Sequence, residues 1–180
     1  MQRREFLCAS TVFFLADPVL SMGEVMASEA LVLTVDEWQQ IAAVQEYLFP
    51  SEPNAPGARE IHALSYLRFA LSREKRPRDL ELLLADGLQR LRQLSLSEGP
   101  MGRHGFSGLD NERKEAVLRE LEGESVGRDF LATLLHYILE ACLTDPVYGG
   151  NPHGIGWHWL DFQPGHRRPT EEKRYFLLSQ

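Results

Sequence analysis

Several residues in the last third of the chain are of types that perform chemistry. His136, His153, His158 and His166 fall late in the sequence, with Asp145 and Asp161 among them. A metal centre would need three or four such side chains converging, each oriented by a second partner. Their spacings match no short ligand motif, and the competing reading is of exposed or loop-stabilising histidines. Gly149-Gly150 and Gly154-x-Gly156 could offer free backbone N–H groups to an anion. Neither a preceding strand nor a following long helix is apparent, so the dinucleotide-binding fingerprint is missing, as is the Lys-Ser/Thr of a phosphate loop. No Gly-x-Ser-x-Gly nucleophile elbow occurs. Cys142 and His136 are six residues apart on one helical pattern, which separates them by roughly 240° around the axis. Glu140 and Asp145 could form an acid–base pair, but two carboxylates alone are weak evidence in an acidic protein. The simpler role for Asp145 is an Asx-type turn, with Pro146 preventing helix continuation. From the residues alone, no enzyme is visible: catalytic, cofactor and metal residues are all expected to be absent.

These residues surround one stretch, Asp145-Pro146-Val147-Tyr148-Gly149-Gly150-Asn151-Pro152-His153-Gly154-Ile155-Gly156-Trp157. Residues that fix φ alternate there with residues that free it, which suits an ordered loop of specific shape. Gly149, Gly150 and Asn151 meet backbone demands, since Gly and Asn tolerate positive φ. Tyr148, Trp157 and Trp159 need an anchor. Either they fold back onto the chain's own core or they dock a partner protein. The irregular region extends over 144–169, long enough in a compact domain to suggest function.

The elements that must position this loop read as helices. Thr34 followed by Glu37 forms a capping box. Trp38, Ile41, Gln45 and Leu48 then share a face widened by Ala42 and Phe49, and Pro50 closes the helix. Residues 51–57 are a turn-rich connector. A second helix is predicted over about 58–72, with Ile61, Leu64, Leu67 and Leu71 on its apolar stripe. A third is predicted over about 78–96, carrying Leu80, Leu84, Leu88 and Leu91. Leu82, Leu83 and Leu94 broaden that stripe, as expected for a central bundle helix. Residues 99–108 read as a flexible loop around Phe106. Asp110 caps a fourth helix bearing Val117, Leu118 and Leu121, ended by Gly123. Ser125 caps the fifth, which runs to about Leu143 through Phe130, Leu134, Leu135, Ile138 and Cys142. Thr170 caps a short helical tail with Glu171 and Glu172 in its first turn. No strand alternation or internal repeat appears. The expectation is an all-α bundle of about five main helices with a long ordered C-terminal loop region, in a single domain over 31–180.

The 180 residues include 19 basic and 26 acidic side chains, a formal net charge of -7, which disfavours nucleic acid as a partner. The chain is long enough to bury a core without disulfides. Its two cysteines, Cys8 and Cys142, form no disulfide framework, and Cys142 reads as a small buried hydrophobe. The first 30 residues have the layout of an export signal, with paired arginines and then a short apolar run over 8–16. That run falls short of the roughly 20 apolar residues that span a bilayer. Arg3-Arg4-Glu5-Phe6-Leu7 resembles the twin-arginine signal, which a receptor reads and which commonly exports proteins already folded.

The string Asp145-Pro146-Val147-Tyr148-Gly149-Gly150-Asn151 is followed by Gly156-Trp157 and by Leu160-Asp161-Phe162-Gln163-Pro164-Gly165. Together these resemble the C-terminal signature of the gluconate 2-dehydrogenase subunit 3 family, the gamma-type small subunits of membrane-associated flavoprotein dehydrogenases. The likeness reaches back through the first helix to Leu33-Thr34, and it departs from the family pattern at Asp161 and Gln163. The resemblance implies a non-catalytic accessory subunit without a cofactor of its own. Its implied partners are an FAD-containing subunit of the glucose-methanol-choline oxidoreductase type and a multihaem cytochrome c subunit carrying haem c. It further implies a periplasmic complex at the inner membrane, addressed through Arg3, Arg4, Phe6 and Leu7. Asp145, Pro146, Tyr148, Gly149, Gly150, Asn151, Gly156, Trp157 and Trp159 would form a structural or partner-docking loop. The rival is a stand-alone exported protein, binding a ligand or metal or acting as an enzyme through the His/Asp/Trp-rich loop 145–166. A blander third is an exported helical protein of unrelated function.

Overall fold

The computed structural model describes residues 33–73, 78–165 and 168–177, so the Arg3, Arg4, Phe6 and Leu7 signal lies outside the described residues, as does His166. The described chain is all-α, built from α1 Val35–Leu48, α2 Ala63–Leu71, α3 Arg78–Ser97, α4 Asn111–Gly123, α5 Ser125–Leu143 and α6 Ile155–Trp159, with short 3-10 turns between them. Among the described residues the only β pairing is a single bridge between Glu52 and Ala55 in the first connector.

Local signals set α1 and α4. Thr34 Oγ1 accepts from the Glu37 N–H at 3.2 Å, and the Glu37 carboxylate accepts from the Thr34 N–H at 2.7 Å, completing the capping box. Asp110 likewise accepts from the Arg113 N–H at 2.9 Å at the start of α4. Elsewhere tertiary contacts override the local pattern. The helix expected over 58–72 starts only at Ala63, because residues 58–62 form turns that end with His62 at φ 58°. The Ile61 carbonyl accepts from the Asn151 N–H at 2.9 Å, so a loop ninety residues away replaces a helical donor. The stretch 99–108 is not a flexible loop. It winds into two 3-10 turns around a fully buried Phe106, clamped where Gln40 accepts from the Ser107 N–H at 2.9 Å and donates to the His104 carbonyl at 3.3 Å.

The apolar stripes are also narrower than expected. On α3, Leu80, Leu84, Leu88, Leu91 and Leu94 are buried, but Leu82 is 65% exposed. The hub of the bundle is α5, which packs against all five other α-helices. Phe130, Leu134, Ile138, Ala141 and Cys142 face the core, whereas Leu135 does not. Ser125 is the first helical residue of α5 and not its cap. Glu124 holds the cap position at φ -99° and ψ 148°, its carboxylate gripped by the Arg90 guanidinium. Thr170 precedes the 3-10 turn Glu171–Lys173 without a side-chain capping bond.

Candidate functional site

The 144–169 region contains more helical structure than its composition predicts. It comprises the 3-10 turns Pro146–Tyr148 and Pro152–Gly154, and then α6. Its centre is Asn151, fully buried at φ 49° and ψ 52°. The Asn151 amide donates to the Thr144 carbonyl at 2.9 Å and accepts from the Gly156 N–H at 2.7 Å. One side chain therefore ties the end of α5 to the start of α6. Gly149, at φ 90°, closes the first turn in a left-handed conformation that a Cβ would strain. Gly150 and Gly156 serve packing instead. A Cβ on Gly156 would lie 2.2 Å from the Cys142 carbonyl, and one on Gly150 would lie 2.8 Å from that of Ala141. Gly150 thus answers to close approach to α5 and not to positive φ.

The two tryptophans divide. Trp157 is buried, and its Nε1 donates to the Leu143 carbonyl at 2.8 Å. Trp159 remains 41% exposed, with its ring edge-on to Phe49 at 5.9 Å. Tyr148 is half-buried between Phe69, at 6.0 Å, and Tyr175, at 5.6 Å. The loop's aromatics therefore fold mainly against their own chain, with Trp159 at the boundary.

Asp145 caps the turn Pro146–Tyr148 by accepting from the Val147 N–H at 3.1 Å. Arg168 reaches back to the same carboxylate at 2.8 and 3.2 Å and lies over the Trp157 ring at 5.1 Å. Burial by itself would raise the Asp145 carboxyl, but the Arg168 guanidinium and the Val147 N–H outweigh it and hold it below the usual carboxylate range. This latch was not visible as a pair in the sequence, since its members lie 23 positions apart with no periodic relation.

The chemistry-bearing residues do not converge. His158 Nδ1 is bound to the Gly154 carbonyl at 2.7 Å, His153 is exposed, and His136 pairs along α5 with Glu140 at 3.2 Å. Among the described residues no group of three or more His, Cys, Asp or Glu side chains is placed to hold a metal. Glu140 accepts from the Tyr66 hydroxyl at 3.2 Å while Asp145 is occupied by Arg168, so each carboxylate has its own structural partner. Cys142 is a buried free thiol whose burial pushes it up, away from the thiolate a nucleophile needs. The N–H groups of Gly149, Gly154 and Gly156 are bound to Pro146 O, Asn151 O and Asn151 Oδ1, which leaves none of the three for an anion.

The sequence reading missed the outward face beside this loop. Leu135, Leu139 and Leu143 on α5 and Leu160 and Phe162 beyond α6 are all substantially exposed. Their four-residue spacing on α5 is the signal in the sequence, where Leu135 reads as one of the apolar residues along the fifth helix. Among the described residues no helix is long and apolar enough to cross a membrane.

A family model described as gluconate 2-dehydrogenase subunit 3 matches residues 35–165, from α1 through the loop that follows α6. No curated protein and no solved structure matches the chain. Because the match runs through all six α-helices and the loop after them, the chain belongs to the gluconate 2-dehydrogenase subunit 3 family and is a non-catalytic accessory subunit of a dehydrogenase complex.

Proposed function

We propose that this subunit binds and stabilises an FAD-containing catalytic subunit of the glucose-methanol-choline type, one that oxidises a sugar or sugar acid. It helps that partner mature and leads it, already folded, through the twin-arginine route by way of Arg3, Arg4, Phe6 and Leu7. The complex then works in the periplasm at the inner membrane and hands electrons to a multihaem cytochrome c subunit. FAD and haem c belong to the partners, and this chain contributes shape and an address. The observation that carries the reading is the family match over 35–165, which encloses both the helical bundle and the loop built around Asn151. That loop is braced by hydrogen bonds within its own chain, as suits a scaffold.

The test is recovery of the full chain from its native membrane fraction, with an absorbance spectrum of whatever accompanies it. A co-purifying flavoprotein supports the proposal. Export of that flavoprotein should also fail when Arg3 and Arg4 are both changed to Lys. A chain recovered without flavin, or a partner exported unchanged beside the Arg3→Lys/Arg4→Lys variant, overturns it.

A further inference from the structure

Leu135, Leu139 and Leu143 recur every fourth residue on α5 and so stand on one side of the helix. Their exposures are 40%, 48% and 55%, unusual for leucines on the hub helix of a bundle. Leu135 lines a groove of about 450 Å³ with Leu48, Leu118 and Leu131. Next to Leu48, Phe49 carries the ring of Trp159. At the other end of the stripe, the Leu143 carbonyl is bonded by Trp157, whose ring meets Phe162 at 6.1 Å. These contacts and the packing of α6 on α5 place the exposed Trp159, Leu160 and Phe162 near the end of the bundle where the stripe finishes at Leu143. Single exposed leucines are ordinary, but these six roughly half-exposed side chains present on the order of 500 Å² of apolar surface together. A stable interface covers about 800 Å² per partner, rather more than half of it apolar. The face is therefore large enough to supply the apolar part of one complete interface.

Both arginines that line the groove are engaged within the chain. Arg119 pairs with Glu115 at 2.7 Å, and Arg128 donates to the Glu122 and Gly123 carbonyls at the end of α4 at 3.3 and 3.2 Å. Among the described residues of the groove the two arginines are balanced by the carboxylates Glu115 and Glu122, which oppose an anionic lipid surface, and the groove suits an apolar protein face. We infer that the α5 stripe Leu135–Leu139–Leu143, together with Trp159, Leu160 and Phe162, is the surface on which the flavin-carrying catalytic subunit docks. This rests on the accessory-subunit reading above. It places the docking site on the α5 stripe and on the exposed residues from Trp159 onward, and not on the inward-folded turns Pro146–Tyr148 and Pro152–Gly154.

The test uses the full chain produced with its own flavoprotein partner. Three forms are compared: wild type, Leu139→Gln/Leu143→Gln, and Phe162→Ser, with Leu82→Gln on α3 as a surface control. Helical circular dichroism and melting of each isolated chain report folding, and the flavin absorbance of the purified complex reports docking. Wild type and Leu82→Gln should recover flavin equally, while the face variants, still folded, should recover about tenfold less or worse. If wild type itself recovers no flavin, the accessory-subunit reading fails before the face is tested. If wild type recovers flavin and both folded face variants do as well, the assigned face is wrong and the reading survives. The assignment is equally overturned if the face variants keep their flavin but turn a dimer of this chain into a monomer, or abolish its sedimentation with anionic vesicles. Should the double glutamine variant not fold, Phe162→Ser alone decides, since that side chain is half-exposed outside the helices.

Discussion

Replacing Asn151 with alanine removes both side-chain bonds that join the end of α5 to the start of α6. The Thr144 carbonyl and the Gly156 N–H lose their partner at a buried centre, and each orphaned group costs about 1–3 kcal/mol. Alanine at φ 49° adds roughly 1 kcal/mol of left-handed strain that asparagine partly escapes. The sum is about 4 kcal/mol, a large part of the roughly 5–15 kcal/mol that holds a domain folded. In urea this should shift the midpoint by about 2 M with the slope unchanged, and in a thermal melt by roughly 10 °C. Asn151→Gly separates the two contributions, because glycine accepts the backbone angle while losing the same bonds. It should be about 1 kcal/mol milder than alanine. Tryptophan fluorescence, dominated near this site by Trp157, and helical circular dichroism should report the same transition. If alanine and glycine both fall within about 1 kcal/mol of wild type, Asn151 does not organise the loop. If glycine is the worse of the two, the left-handed strain is not what distinguishes them.

Other perturbations probe neighbouring contacts. Gly156→Ala should destabilise by about 1–3 kcal/mol, because its Cβ would sit 2.2 Å from the Cys142 carbonyl and must push α6 off α5; an unchanged melting temperature would contradict that packing. The Tyr66 hydroxyl is pushed up to about 12 by burial first and then by the Glu140 carboxylate beside it. Because the fold favours the neutral phenol, this stabilisation is complete below the unfolded value of about 10 and is lost as pH rises toward 12. The Tyr47 and Tyr137 hydroxyls are raised too, by the Glu115 hydrogen bond and by burial respectively, so ultraviolet titration should show a late tyrosine component that loses its last step in Tyr66→Phe; a titration unchanged by that substitution would refute it. The Asp145 carboxyl is held low in the fold, so its contribution is present above the unfolded value of about 4 and fades as pH falls below it. Arg168→Met should accordingly cost up to about 1 kcal/mol near neutrality, Arg168 being half-exposed, and less in strong acid, where only its contact with the Trp157 ring is left. A difference that does not change with pH would show that the latch is not electrostatic.

Elements whose signals lie within one helical turn were legible in the sequence. The Thr34–Glu37 capping box, the Asp110 cap and the leucine stripe of α3 all depend on neighbours three or four residues away. Elements decided by distant partners were not. Residues 58–62 carry helical periodicity, yet their carbonyl bond to Asn151 comes from across the fold. The Phe106 turns need Gln40, and the cap of α5 needs Arg90, neither of which any local pattern announces. At the site, the glycine and asparagine content correctly implied an ordered shape with positive φ at Gly149 and Asn151. The different duty of Gly150 and Gly156, to let backbones approach, depends on where α5 runs and so stays hidden in one dimension. Likewise Leu135 shares a helical period with core residues, and only packing shows that the apolar stripe is wider than the surface available to cover it.

The last carbonyls of an α-helix usually turn to water and let the final turn fray. At the end of α5 they do not. Trp157 and Asn151 satisfy the carbonyls of Leu143 and Thr144 from 14 and 7 residues downstream. The leucines at 139 and 143 are therefore carried on a turn that is already fixed before any other chain arrives. Association there forfeits little backbone entropy, since the ordering that a loose helix end would undergo on binding was completed when the chain folded. The Gly/Asn-rich string would then act on affinity without touching a partner at all. Its substitutions should weaken binding chiefly by loosening the surface next to them.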